Sequence, residues 1–119
     1  MKDRARREVD GRRGEAMAAW YLRLCGWSIK AQRVKTPRGE IDLVARRGRT
    51  LAFIEVKWRA KGAGLDLAID HYRLRRVGAA AEALSARFAR PGDTIRIDVL
   101  LMAPWRWPRR IANAWQPGA

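Results

Sequence analysis

Asp42, Glu55 and Lys57 are the residues of this chain best suited to do chemistry. Two carboxylates supply hard oxygen ligands. One or two of them, with waters and a substrate phosphate, are what magnesium prefers. A lysine ammonium beside them could steady a nucleophilic water or the negative charge that builds on a phosphate.

The spacing of these residues brings them together. Glu40-Ile41-Asp42-Leu43-Val44-Ala45-Arg46 and Leu51-Ala52-Phe53-Ile54-Glu55-Val56-Lys57-Trp58 are two strand-like runs joined by Arg47-Gly48-Arg49-Thr50. This is the pattern of a β-hairpin. A symmetric turn between Gly48 and Arg49 sets Arg47 opposite Thr50, Val44 opposite Phe53 and Asp42 opposite Glu55. Opposed residues have Cβ atoms roughly 4.5–5.5 Å apart. Side chains alternate faces with period two. Glu40, Asp42, Glu55 and Lys57 therefore project from one face, at the end of the hairpin away from its turn. Opposed carboxylates repel unless a cation is shared between them. Ala52, Ile54, Val56 and Trp58 form the other face of the second run and read as packing surface. The same residues also fit a cross-strand salt-bridge cluster on a solvated face.

The flanking segments supply the scaffold. Residues 13–25 read as a helix, with Ala16, Trp20 and Leu24 at helical spacing, Ala19 and Leu22 nearby, and Gly26 as its stop. Residues 27–34 alternate as a first strand, and residues 36–39 form a turn. Residues 61–64 form a loop. A long helix is expected over 66–89 through Leu67, Ile69, Leu74, Val77, Ala81, Leu84 and Phe88. Gly78 inside it costs about 1 kcal/mol against alanine, for which close packing on the sheet is a reason. Residues 95–102 form a fourth strand and 109–113 a short edge strand. The long helix is a crossover, so the third and fourth strands are expected to be parallel. The fold class is α/β, a mixed β-sheet flanked by helices.

The chain has 119 residues, which fits one domain over 13–119 after a basic, flexible arm at 1–12. Its formal net charge is +14, carried by 21 arginines and 5 lysines against 12 acids. Such a charge points to a polyanion, and arginine suits bidentate phosphate contacts. Arginine-favouring codon usage accounts for part of the excess. A single cysteine, Cys25, excludes an internal disulfide, and zinc-ligand spacing is absent. There is no apolar run of membrane-spanning or signal-peptide length. These absences favour the cytoplasm, and nucleic acid over a membrane.

Gly39-Glu40-Ile41-Asp42 followed by Phe53-Ile54-Glu55-Val56-Lys57 resembles the PD-(D/E)xK nuclease signature. More closely, the chain resembles the small bacterial YraN-like proteins, predicted endonucleases distantly similar to archaeal Holliday-junction resolvases. Gly14-Glu15-Ala16, Tyr21-Leu22 and Gly26 resemble the family's first helix. Ala79-Ala80-Ala81 resembles its second, Arg96-Ile97-Asp98-Val99 its late strand, and Ala112-Asn113-Ala114 its tail. The resemblance implies a restriction-endonuclease-like core and Mg2+- or Mn2+-dependent hydrolysis of DNA, with branched or damaged DNA as a substrate. It implies Asp42 and Glu55 as metal ligands, Lys57 as the catalytic lysine and Glu15 as an added acidic group. DNA is favoured over RNA, and a junction-cutting enzyme would favour a homodimer. Two departures stand: Ile41 replaces the proline of the wider signature, and Arg73 stands where a lysine is expected. The alternative is a nucleic-acid-binding module with a vestigial nuclease site.

Other residues have competing readings. Glu15, near a helix start, also fits a favourable interaction with the helix dipole. Trp105 and Trp107, around Arg106 and ahead of Arg109 and Arg110, fit core and edge packing, or base stacking with phosphate contacts. Trp20, Trp27 and Trp58 read as core, Cys25 as a buried apolar residue, His71 as a solvated helix residue. Asp98 reads as structural, paired with an arginine. Arg73, Arg75 and Arg76 fit either a phosphate groove or a solvated helix face.

Overall fold

A computed structural model of the chain describes residues 14–58 and 71–115. The 1–12 arm, the 61–64 loop and positions 66–70 of the second helix lie outside the described residues, as does the side chain of His71. Helix α1 spans residues 14–24. It is followed by β1 (Ser28–Thr36), β2 (Gly39–Arg47), β3 (Thr50–Trp58), α2 (His71–Phe88), β4 (Thr94–Met102) and β5 (Arg109–Ile111).

The described strands form one sheet in the order β1-β2-β3-β4-β5. Only the β3–β4 pair is parallel, as the helical crossover between them requires. The others are antiparallel. Leu51 to Ile54 are buried without alternation, because β3 lies mid-sheet with helices on both faces. On one face α2 lays Leu74, Val77, Ala81 and Leu84 on Leu51, Phe53, Ile97, Val99 and Leu101. On the other, Ala18, Ala19 and Leu22 of α1 meet Leu43, Ala45, Ala52, Ile54, Leu100 and Met102.

The inward face of α1 differs from the expected one. Ala16 and Trp20 point to solvent, and Leu24 is 80% exposed, whereas Ala18, Ala19 and Leu22 are buried. Small residues win because the helix lies close on the sheet, and an indole at position 20 would hold it away. Trp20, expected in the core, is 65% exposed with Arg23 over its ring. Cys25, expected buried, is exposed in the turn that ends α1. Trp27 is in the core and Trp58 is half-buried against it. Trp105 and Trp107, read first as packing, are exposed.

Two polar ties fix the ends of the sheet. Arg46 donates to both carboxylate oxygens of Asp93, at 2.9 and 2.6 Å, and to the Phe88 carbonyl at 3.1 Å, anchoring the end of α2 to β2. The Arg46 hydrogen bonds, helped by the Arg90 amide, hold the Asp93 carboxyl down to about 2. On the α1 face, Asp98 is fully buried and accepts from Arg96 at 2.7 Å and from the Asn113 amide at 2.8 Å. Arg110 approaches it to 3.8 Å. The expected arginine pairing of Asp98 thus involves two arginines, and it also pins the tail.

Gly78 is explained by the tail and not by the sheet. A Cβ there would overlap the Trp115 indole, which packs against α2. Gly78→Ala is expected to displace Trp115 and cost about 1–3 kcal/mol, the usual penalty of overpacking. A lowered Tm together with red-shifted tryptophan emission would show it.

Candidate active site

The hairpin forms in the expected register, with Arg47 opposite Thr50, Val44 opposite Phe53 and Leu43 opposite Ile54. The backbone ladder stops there. One step further, the Asp42 carboxylate accepts the Val56 amide at 2.8 Å, so a side chain takes the place of the next rung. This fixes Asp42 against the strand that carries Glu55.

Asp42 and Glu55 face a cleft of about 310 Å³, lined also by Glu40, Tyr72, Arg73, Arg76 and Val77. One wall is the β2–β3 hairpin and the other is the first turns of α2. Glu55 is buried and ion-paired with Arg73. Lys57 continues the Glu55 face two residues on and is half-buried, but it does not itself line the cleft.

Burial pushes the Asp42 carboxyl up to about 6. The Val56 amide opposes this, the Glu15 and Glu55 carboxylates reinforce it, and Arg73 opposes it. Glu15 therefore lies within electrostatic reach of Asp42. It gets there because α1 begins against Trp58, with Gly14 packed on that ring. Glu15 is itself engaged by Arg33, whose Nε donates at 2.5 Å. Arg33 reaches it from a left-handed backbone position (φ 53°) in β1. Among the described residues no group of three or more His, Cys, Asp or Glu side chains is arranged to hold a metal ion. The arrangement present is a carboxylate pair, Asp42 and Glu55, with Arg73 and Arg76 opposite. Its donor set fits a hard cation that keeps waters and takes substrate oxygens as further ligands.

Asp42 and Glu55 line one cleft, as the shared face expected of the hairpin requires. The sequence left Arg73 and Arg76 open between a phosphate groove and a solvated face, and both line the cleft. Arg75 points instead to the groove beside Trp115. Tyr72 and Arg33 were missed. The spacing of Tyr72, Arg73 and Arg76, adjacent on one side of a helix, was the available signal for the first. The partner of Glu15 left no local signal, since Arg33 lies in a different element.

Gly39 sets the width of the cleft. A Cβ there would stand 2.8 Å from the Arg76 carbonyl oxygen, which belongs to helix backbone and cannot swing aside. Gly39→Ala is expected to push α2 off β2, cost about 1–3 kcal/mol and weaken any ligand held by both walls. Thermal melts and phosphate titration of the variant check this.

The model of "Uncharacterised protein family UPF0102" matches residues 14–102, which include every residue of the cleft. The chain belongs to family UPF0102. A UPF0102 protein of Sphingopyxis alaskensis is 67% identical over 96% of this chain and 98% of its own. One from Erythrobacter litoralis is 64% identical over 92% and 95%. Among solved structures, Hjc, a Holliday junction resolvase from the archaeal hyperthermophile Archaeoglobus fulgidus, superposes with a TM-score of 0.60. It is 24% identical, over 84% of this chain and 73% of that one. This UPF0102 member therefore has the restriction-endonuclease-like fold, a mixed sheet flanked by helices. Among the described residues no helix is long and apolar enough to cross a membrane.

Proposed function

We propose that the protein is a metal-dependent endonuclease that hydrolyses phosphodiester bonds in DNA, with branched or damaged DNA as its substrate. The observation that carries this is the joint placement of Asp42 and Glu55 in one cleft with Arg73 and Arg76 on its opposite wall. Carboxylates there suit a cation, and guanidinium groups suit phosphate.

In this reading Asp42 and Glu55 hold Mg2+ or Mn2+. Such an ion, held by these two carboxylates, would supply Lewis acidity and make a water more acidic. Lys57 steadies the attacking water or the charge that builds on the phosphate. Glu15 adds negative charge beside Asp42 and, through Arg33, ties α1 to the same end of the sheet. Arg76 and Arg73 hold the scissile strand, and the net charge of +14 draws the duplex in. The fold shared with a junction resolvase favours DNA over RNA, and a junction substrate favours a homodimer. A DNA substrate fits a cytoplasmic site of action.

The test is cleavage of labelled duplex, single-stranded and four-way-junction DNA with magnesium, manganese or EDTA. Cutting that requires both the metal and Asp42 supports the nuclease. A second reading has one observation in its favour. The Arg73–Glu55 ion pair places a protein cation on one of the two ligands, as a vestigial site would. Calorimetry with magnesium and manganese separates the two. Binding lost in Asp42→Asn and Glu55→Gln supports the nuclease, whereas no metal binding and no cutting supports a nucleic-acid-binding module.

A further inference from the structure

The exposed tryptophans of the β4–β5 connection are not used by the cleft. Residues 103–108 read Ala-Pro-Trp-Arg-Trp-Pro. Trp105 is fully exposed and Trp107 is 85% exposed. Two indoles left in water forgo the burial that tryptophan usually finds. The backbone keeps them there. Pro104 and Pro108 fix φ at both ends of the loop, and Trp105 sits in the left-handed region (φ 63°), rare for a bulky side chain. Strain held in an exposed aromatic residue points to use rather than packing.

The position and charge of the loop are specific. In the parallel β3–β4 register Lys57 pairs with Leu101 and Trp58 with Met102. The loop therefore leaves the sheet at the end where β3 has just passed Glu55. After Asp98 the chain has no acidic residue, while Arg106 lies in the loop and Arg109 just beyond it. Solvent-facing indoles alternating with guanidinium groups form a surface on which bases stack while their phosphates are held.

We infer that Trp105 and Trp107 form a stacking platform for unpaired nucleobases. DNA with exposed bases beside the reacting phosphate is then bound in preference to continuous duplex. This rests on the nucleic-acid reading of the cleft and names the feature of the substrate that the surrounding surface selects. A fully stacked duplex offers the platform only base edges and backbone, so it gains nothing from the indoles.

The experiment is fluorescence anisotropy in EDTA, where cleavage is absent. It compares a labelled duplex with the same duplex carrying a four-nucleotide gap that contains 2-aminopurine. Wild type is expected to bind the gapped DNA more tightly and to quench the 2-aminopurine by stacking. The variant Trp105→Ala/Trp107→Ala is expected to lose about 5- to 150-fold in affinity per stacked base on gapped DNA. Its affinity for the duplex should stay within about twofold, since phosphate contacts are untouched. Trp105→Phe/Trp107→Phe should recover most of the loss. Both side chains meet solvent, so the variants should melt as wild type does, which a thermal scan verifies. Equal losses on both DNAs, or none on either, overturn the proposal. So does Trp-dependent binding to anionic phosphatidylserine vesicles with DNA binding unchanged. Cleavage assayed separately in magnesium keeps the failures apart. A protein that stacks gapped DNA but never cuts loses the nuclease reading alone. One that cuts normally while the alanine variant binds like wild type loses the platform alone.

Discussion

Asp42→Asn is expected to abolish metal-dependent cleavage and, in the same molecule, to stabilise the metal-free fold. The loss of activity follows from the removal of a charged ligand. A bound cation supplies several kcal/mol of transition-state stabilisation, so the rate should fall on the order of a thousand-fold or more. The gain in stability follows from the cost of keeping Asp42 ionised. Burial and the nearby Glu15 and Glu55 raise its pKa from 3.8 to about 6. An acid whose folded-state pKa lies above its unfolded value favours folding in its protonated form. That contribution is complete below about pH 4 and is lost as pH rises through about 6. At pH 7.5 the ionised group then costs on the order of 2–3 kcal/mol. Asparagine has no charge to desolvate, yet its side-chain oxygen can still accept the Val56 amide. The variant should therefore melt above wild type at pH 7.5 without metal, and the gap should close as pH falls towards 4. Added magnesium should narrow it from the other side by stabilising wild type alone. A variant that melts lower at every pH would refute the electrostatic account, whatever its activity.

The second large effect concerns stability alone. Asp98→Ala is expected to destabilise the protein by about 3 kcal/mol, in the lower part of the range for a broken buried ion pair. The lower part applies because Arg96 and Arg110 keep 21% and 30% of their side-chain exposure and can turn to water. The Asn113 amide loses its acceptor at the same time. The tail that brings Trp115 onto α2 should loosen with it. The expected readout is a Tm lowered by roughly 10 °C or more. Asp98→Asn, which keeps an acceptor for Asn113, should lose less. The arginines released by Asp98→Ala lie over Trp27, together with Arg47, whose guanidinium is 4.6 Å from that ring. Stacking limits their disorder but does not neutralise them.

The two effects separate what local pattern encodes from what it does not. The hairpin was legible because both of its determinants are local. A two-residue connection sets the pairing, and period-two alternation sets the face. Together they put Asp42 beside Glu55 with no knowledge of the rest of the molecule. The crossover helix was legible for a similar reason, since parallel strands need a long connection and 66–89 was the segment able to supply it. The +14 charge and the order of the matched segments carried the expectation of a polyanionic partner and of the family.

Exposure was less legible. For Cys25, Trp105 and Trp107 residue type gives only the average preference for burial, and the helical spacing of Ala16, Trp20 and Leu24 marks a stripe without fixing that it turns inward. Which side of α1 faces inward depends on how closely the helix can approach the sheet, and Ala18, Ala19 and Leu22 decide that by their size. The reason for Gly78 depends on where a tail some 35 positions later comes to rest, and that depends on Asp98 holding Asn113. Likewise Arg73 meets Glu55 only once α2 lies across β2 and β3, at a distance that Gly39 permits.

By itself, then, the sequence determined the strands, the shared face of Asp42 and Glu55, and the sign of the net charge. Each depends on neighbours within a turn or a hairpin, or on a sum over the whole chain. The tertiary structure decided which arginines enter the cleft, that Asp42 is driven towards neutrality, and that two tryptophans stand in water beside the end of β3. Those outcomes depend on distances between segments far apart in the chain, and desolvation and ion pairing change steeply with such distances.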